Sequence, residues 1–163
     1  MLRTAPHTQG PTESEDAEGW AENPRSGDVL FVDIFAGSGA LSRAVKASSV
    51  PTARPNEFSQ GGTNFSKKRE VESLRAQLQT WSDSGVKLAI HLAPPCHTFS
   101  RARDRSGRTR LRSPWYPDGL PAKQQQVKVP NLIAKRAFLL ASWAARKLDA
   151  FVTLENHRRV ISG

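Results

Sequence analysis

The chain has 163 residues, enough for one domain with a modest core, and its 37% hydrophobic and 24% charged residues are those of an ordinary globular domain. Its net charge of +9 is uneven: residues 1–28 carry six acids (Glu13, Glu15, Asp16, Glu18, Glu22, Asp28) against Arg3 and Arg25, a net of −4, which leaves +13 on the remainder. A single cysteine excludes an intramolecular disulfide framework, no Cys/His spacing resembles a zinc site, and no apolar run reaches the roughly 20 residues of a membrane span.

A body this basic draws polyanions, with nucleic acid the first candidate. The N-terminus has neither the apolar core of a secretory signal nor the acid-poor composition of a transit peptide. An intracellular chain, cytoplasmic or nuclear, is expected.

Residues 1–27 are rich in Pro, Gly, Ser, Thr and acids, and read as a disordered leader before a domain over 28–163. Residues 29–34 form a short apolar, β-rich run expected to be a buried strand. A glycine turn at 36–39 leads to a helix over 40–46, with Leu41, Ala44 and Val45 at helical spacing. Residues 50–56 are a second candidate strand, weakened by Pro51 and Pro55. Over 67–82, Val71, Leu74, Leu78 and Trp81 recur on one face of an amphipathic helix. Residues 86–92 are the next strand. A proline- and arginine-rich loop occupies about 98–130, where so long a loop suggests function. Asn131 is placed to cap a helix running to 147, and 149–154 is the last strand.

This alternation predicts an α/β fold with a mostly parallel sheet. In such sheets ligands bind at the carboxyl ends of the strands. Three clusters fall there: residues 36–39, 94–96 and 155–156.

Asp33-Ile34-Phe35-Ala36-Gly37-Ser38-Gly39 places an acid at a strand end and two glycines in the turn. Glycine permits a sharp turn and a close ligand approach, and the next helix start offers backbone N–H donors. Alone, the pattern equally suits a structural tight turn. Glu57, after the second candidate strand, is placed to accept both hydroxyls of a ribose; Phe58 beside it suits either an adenine face or the core.

Residues 31–42 resemble the first motif of the DNA cytosine-5 methyltransferases, roughly D-L-F-A-G-x-G-G, with Ala40 where the family has glycine. Asn56-Glu57-Phe58 falls where the family carries its ribose-binding acid. Ala93-Pro94-Pro95-Cys96-His97-Thr98-Phe99-Ser100 resembles the fourth motif, P-P-C-Q-x-F-S, with His97 replacing glutamine. Val152-Thr153-Leu154-Glu155-Asn156-His157 resembles the sixth, E-N-V, with His157 replacing valine. The resemblance covers about 29–160. The family's arginine-containing motif, target-recognition region and last motif are not found.

The resemblance implies a Rossmann-like S-adenosylmethionine-dependent methyltransferase fold, C-terminally incomplete. It implies S-adenosyl-L-methionine as cofactor, held by Asp33, Phe35, Ala36, Gly37, Ser38, Gly39, Leu41, Glu57, Phe58 and Pro94. It implies Cys96 as nucleophile, Glu155 at N3 of a flipped cytosine, and Asn156 bracing the Cys96 loop. Ser100, Arg101, Arg103, Arg105, Arg108, Arg110 and Arg112 would contact nucleic acid, arginine being suited to bidentate phosphate pairing.

The residue types suit that chemistry. Cytosine C5 is electron-poor, and a thiolate adding at C6 makes it nucleophilic before leaving again. Amino-group methyltransferases instead use [DNS]-P-P-[YFW], and Ala93 and Cys96 stand at its two deciding positions. The expected partner is DNA, with RNA as the alternative and a second chain supplying target recognition as a further expectation. The rival reading is a truncated methyltransferase-like chain that binds nucleic acid without turnover.

Overall fold

The structure, a computed structural model, describes residues 19–95, 110–113 and 115–155. Three parallel strands, β1 (Val29–Ile34), β2 (Lys87–Leu92) and β3 (Phe151–Leu154), form a sheet in the order β1-β2-β3. Helices α1 (Ala40–Ala47), α2 (Lys68–Asp83) and α3 (Gln124–Lys147) make the connections, with short 3-10 turns at Phe58–Gln60 and Pro121–Lys123. The α/β alternation with a parallel sheet is as expected, and is compatible with a Rossmann-like arrangement.

Alternation along the strands decides the two sheet faces. Leu30, Val32 and Ile34 of β1 and Leu88, Ile90 and Leu92 of β2 are all buried. They join one core with Val71, Leu74 and Leu78 of α2 and with Ala137, Leu140 and Ala144 of α3. Burying a leucine-sized side chain contributes about 1.5–3 kcal/mol, so this layer dominates stability. The other face carries Phe31, Asp33, Ala89, His91, Phe151 and Thr153. Its β1 end lies under α1, whose Ser42 is fully buried on Asp33. Its β3 end is open among the described residues, with Phe151 71% exposed.

Residues 50–56 run parallel to β1 on the side away from β2. Phe31 N donates to Pro51 O (2.8 Å), Ala53 N to Phe31 O (2.8 Å) and Asn56 N to Asp33 O (2.9 Å). This is the expected second strand, reduced to isolated bridges at Thr52 and Asn56 because Pro51 and Pro55 have no N–H to offer a ladder. From β1 the chain passes through α1 to one side, then through α2 to β2 on the other. That reversal makes a topological switch point at the carboxyl ends of β1 and β2.

Four expectations need adjustment. Helix α3 starts at Gln124, not Asn131, and continues through Pro130, so the expected loop is shorter than 98–130. The Asn131 side chain does not cap α3; it accepts from Arg112 and donates to Asp118 O (2.8 Å). The end of the expected leader is tied down, with Ala21 N on Thr52 O (2.8 Å) and Lys46 Nζ 4.5 Å above the Trp20 ring. In α1 the inward residue is Ser42, while Leu41 is 43% exposed; the sheet face beneath presents a carboxylate, and a hydroxyl satisfies it where a leucine cannot. Among the described residues, no helix is long and apolar enough to cross a membrane.

Candidate functional site

The register sets β1, β2 and β3 level at their carboxyl ends, Ile34 pairing with Leu92 and Leu92 with Leu154. Ladder bonds continue one residue further. Ala93 N donates to Ile34 O (3.1 Å) and Glu155 N to Leu92 O (2.8 Å). Phe35, Ala93 and Glu155 therefore leave the sheet side by side, on strands about 4.8 Å apart. The three clusters singled out in the sequence begin at one edge of the sheet.

The first cluster is a strained turn. Phe35 has φ 62°, a left-handed conformation that costs about 1–3 kcal/mol for a non-glycine residue. Its N–H bonds Asn56 O (2.9 Å), and its ring packs 4.5 Å from that of Phe65, which is buried. Gly37 (φ 56°) and Gly39 (φ 71°) complete the turn. A side chain at Gly37 would meet nothing within 4 Å, so this backbone faces open space. Helix α1 has no side-chain cap and no acid in its first turn, which leaves N–H donors for water or a ligand.

Glu57 stands over this turn. Its Oε2 accepts from Gly37 N (3.0 Å), and its Oε1 lies 3.4 Å from Ser59 N. Gln60 Nε2 donates to Gly37 O (3.0 Å), closing the turn from the same side. Phe58 is 60% exposed, which excludes the core placement and leaves its ring beside Glu57. Gln60 was not anticipated; its only sequence signal is that it follows Glu57 by three residues.

The structure changes one expected cofactor assignment. Asp33 is 2% exposed and accepts from Ser42 Oγ (2.8 Å), so it braces the turn from beneath rather than meeting a ligand. Leu41, in the first turn of α1, is 43% exposed. Ala36 is half-buried and Ser38 exposed in the turn, where Ser38 O accepts from Arg43 Nη1 (2.8 Å).

Pro94 is half-buried at the end of β2 and Pro95 is exposed; Glu155 is exposed at the end of β3. Cys96, Ser100, Arg101, Arg103, Arg105, Arg108 and Asn156 lie outside the described residues. Arg110 is exposed, but Arg112 is not available to nucleic acid. It is 5% exposed, donating from Nη1 to Pro117 O (2.6 Å) and from Nη2 to Asn131 Oδ1. A buried guanidinium needs such fixed acceptors, and here it ties the end of the basic stretch to α3.

No group of three or more His, Cys, Asp or Glu side chains placed to hold a metal occurs among the described residues. Comparison of the chain with protein-family models, with curated proteins and with solved structures gave no match.

Proposed function

We propose that this chain is an S-adenosylmethionine-dependent methyltransferase that modifies C5 of cytosine in DNA, with Cys96 as nucleophile. The observation that carries the reading is the level register of β1, β2 and β3. It brings the glycine turn, the Pro94-Pro95 step before Cys96, and Glu155 to one edge of a parallel sheet, beside the switch point where such folds bind ligands.

The residues of the turn fit the cofactor. The open space at Gly37 leaves room against the backbone. The Glu57 carboxylate is half-buried over the turn and retains lone pairs for a ribose diol beside its bond to Gly37. Phe58 offers an exposed ring for an adenine. Bound there, S-adenosylmethionine supplies an electrophilic methyl group.

Cys96 Sγ adds to C6 of the cytosine as a thiolate, forming a C–S bond and moving electron density to C5. Glu155 shares a proton with N3 during that addition. When C5 gains the methyl group the sulfonium departs as a neutral thioether. Water then takes the C5 proton, the C5=C6 double bond re-forms as the C–S bond breaks, Cys96 leaves as the thiolate, and the N3 proton returns to Glu155. A duplex base is out of reach in the stack, so the cytosine must be flipped towards Cys96. The net positive charge suits a phosphate backbone.

The test is covalent trapping on DNA containing 5-fluorocytosine with S-adenosylmethionine present. Fluorine at C5 blocks the final elimination. A denaturation-resistant adduct, lost in Cys96→Ala, is the expected result. Salt-sensitive DNA retention without an adduct would favour the alternative, a methyltransferase-like fold that binds nucleic acid without turnover.

A further inference from the structure

A groove lies beside residues 53–56, between them and α2, and reaches the glycine turn at Ser38 and Gly39. It has two adjoining compartments. The larger, about 370 Å³, has an apolar floor that includes Val32, Ala53 and Leu74, with Trp81 and Gln77 on its α2 side. The smaller, about 80 Å³, lies between Arg43 and Arg54, with Trp20 and Gly39 beside it. Arg54, Pro55 and Gln60 line both, so the compartments share a wall.

Their chemistry differs. The small compartment has two guanidinium groups and no carboxylate among its lining residues. Arg43 is held there by its bond to Ser38 O, while the exposed Arg54 side chain has no partner among the described residues. Two arginines lining so small a space suit a phosphate group, which accepts bidentate guanidinium bonds. The large compartment contains one acid, Glu22, which disfavours a phosphate there. Its apolar floor and tryptophan suit a flat, weakly polar ring instead. The Gln77 amide also has no partner among the described residues, so it can donate to and accept from the edge of such a ring. The volume lies at the lower end of small-ligand sites.

We infer that this groove binds a nucleotide, with its base in the Trp81 compartment and its 5′-phosphate between Arg43 and Arg54. The site is separate from the crevice over Gly37. There the Glu57 carboxylate would repel a phosphate, whereas in the groove the charge is complementary. Gln60 connects the two, because it lines the groove and bonds Gly37 O. The ligand is either a free mononucleotide or the phosphorylated end of a single strand, which share this chemistry.

The test is calorimetric titration of the full chain, without cofactor, using adenosine and cytidine 5′-monophosphates, the matching nucleosides, and a 5′-phosphorylated trinucleotide. Saturable binding of a 5′-monophosphate, at least tenfold tighter than its nucleoside, is expected. Binding of the trinucleotide alone, with the same dependence on its 5′-phosphate, also supports the site and assigns it to strand ends. Arg54→Gln should remove the advantage of the phosphate, and Gln77→Ala should weaken nucleotide and nucleoside alike. Both residues are exposed, so both variants should keep the wild-type circular dichroism. Saturating S-adenosylmethionine should not displace the ligand. No saturable binding, equal binding in Arg54→Gln, or displacement by S-adenosylmethionine would overturn the assignment. None of these readouts depends on methyl transfer.

Discussion

Ser42 Oγ donates to Asp33 Oδ2 across 2.8 Å, and both side chains are closed off from solvent. This bond pins the start of α1 to the end of β1 and so fixes the turn between them. Ser42→Ala leaves a buried carboxylate short of a donor, which costs about 1–3 kcal/mol. The urea midpoint should fall by that energy divided by the slope m, with m itself unchanged. Asp33→Asn added to Ser42→Ala should recover part of the loss, because a neutral amide is cheaper to bury. A loss under about 0.5 kcal/mol, the range of an ordinary surface substitution, would mean the bond is unimportant.

Arg112 separates a structural from a binding role. Its guanidinium joins Pro117 O to Asn131 Oδ1 in a buried setting. Arg112→Ala should lower stability by about 2 kcal/mol, the scale of losing charged hydrogen bonds and stranding their acceptors. Arg112→Lys should not restore it, since one ammonium cannot reproduce the planar fork. DNA affinity should keep its salt slope in both variants. A slope reduced by about 0.9 would instead show a lost phosphate contact.

Much of the architecture was legible because it rests on periodicity. The run at 29–34 and the stripe Val71, Leu74, Leu78 mark elements whose buried faces are those the sequence indicates. The start of α3 was not legible. Pro130 and the polar run at 124–126 suggest a break, yet the helix accommodates the proline and buries Val127 before it. The roles of Ser42, which carries no sequence signal of burial, and of Arg112, expected at nucleic acid, were not legible for one physical reason. Polarity in sequence does not distinguish a side chain facing water from one facing a buried partner. Pairings such as Asp33 with Ser42 depend on how an eight-residue helix crosses its strand, which no local pattern states. The turn at Gly37 and Gly39 was legible because both residues have positive φ, where glycine is favoured.

Glu70 provides a pH-dependent element at the entrance to α2. Its carboxylate accepts from Asn64 N (2.7 Å) and pairs with Lys67 Nζ (3.1 Å). The backbone bond from Asn64, and next the Lys67 side chain, hold its pKa below the ordinary value of 4.5. A lowered folded-state pKa stabilises the fold above the unfolded value, and the gain is lost as pH falls through the folded one. Glu70→Gln should therefore lower the thermal midpoint at pH 7 more than at pH values below 4.5. Unfolding curves across that window check it; a difference independent of pH would leave the carboxylate's charge without a role.

Gly37 and Gly39 distinguish folding strain from ligand exclusion. Both have positive φ, so alanine at either costs about 1–2 kcal/mol in backbone strain. At Gly39 the new methyl would also sit 3.3 Å from Arg43 Nη1 and from Pro55 Cγ, so Gly39→Ala should be the less stable variant. At Gly37 the methyl meets no protein atom within 4 Å and projects into the space assigned to the cofactor. Gly37→Ala should thus remain folded but bind S-adenosylmethionine at least tenfold more weakly. Gly37→Asn, whose side chain tolerates the left-handed region, should recover stability but not binding. Calorimetric cofactor titration alongside urea unfolding reads both effects on the same samples. Wild-type affinity in a folded Gly37→Ala protein would mean that this turn faces solvent rather than a cofactor, and the reading of the crevice would have to be abandoned.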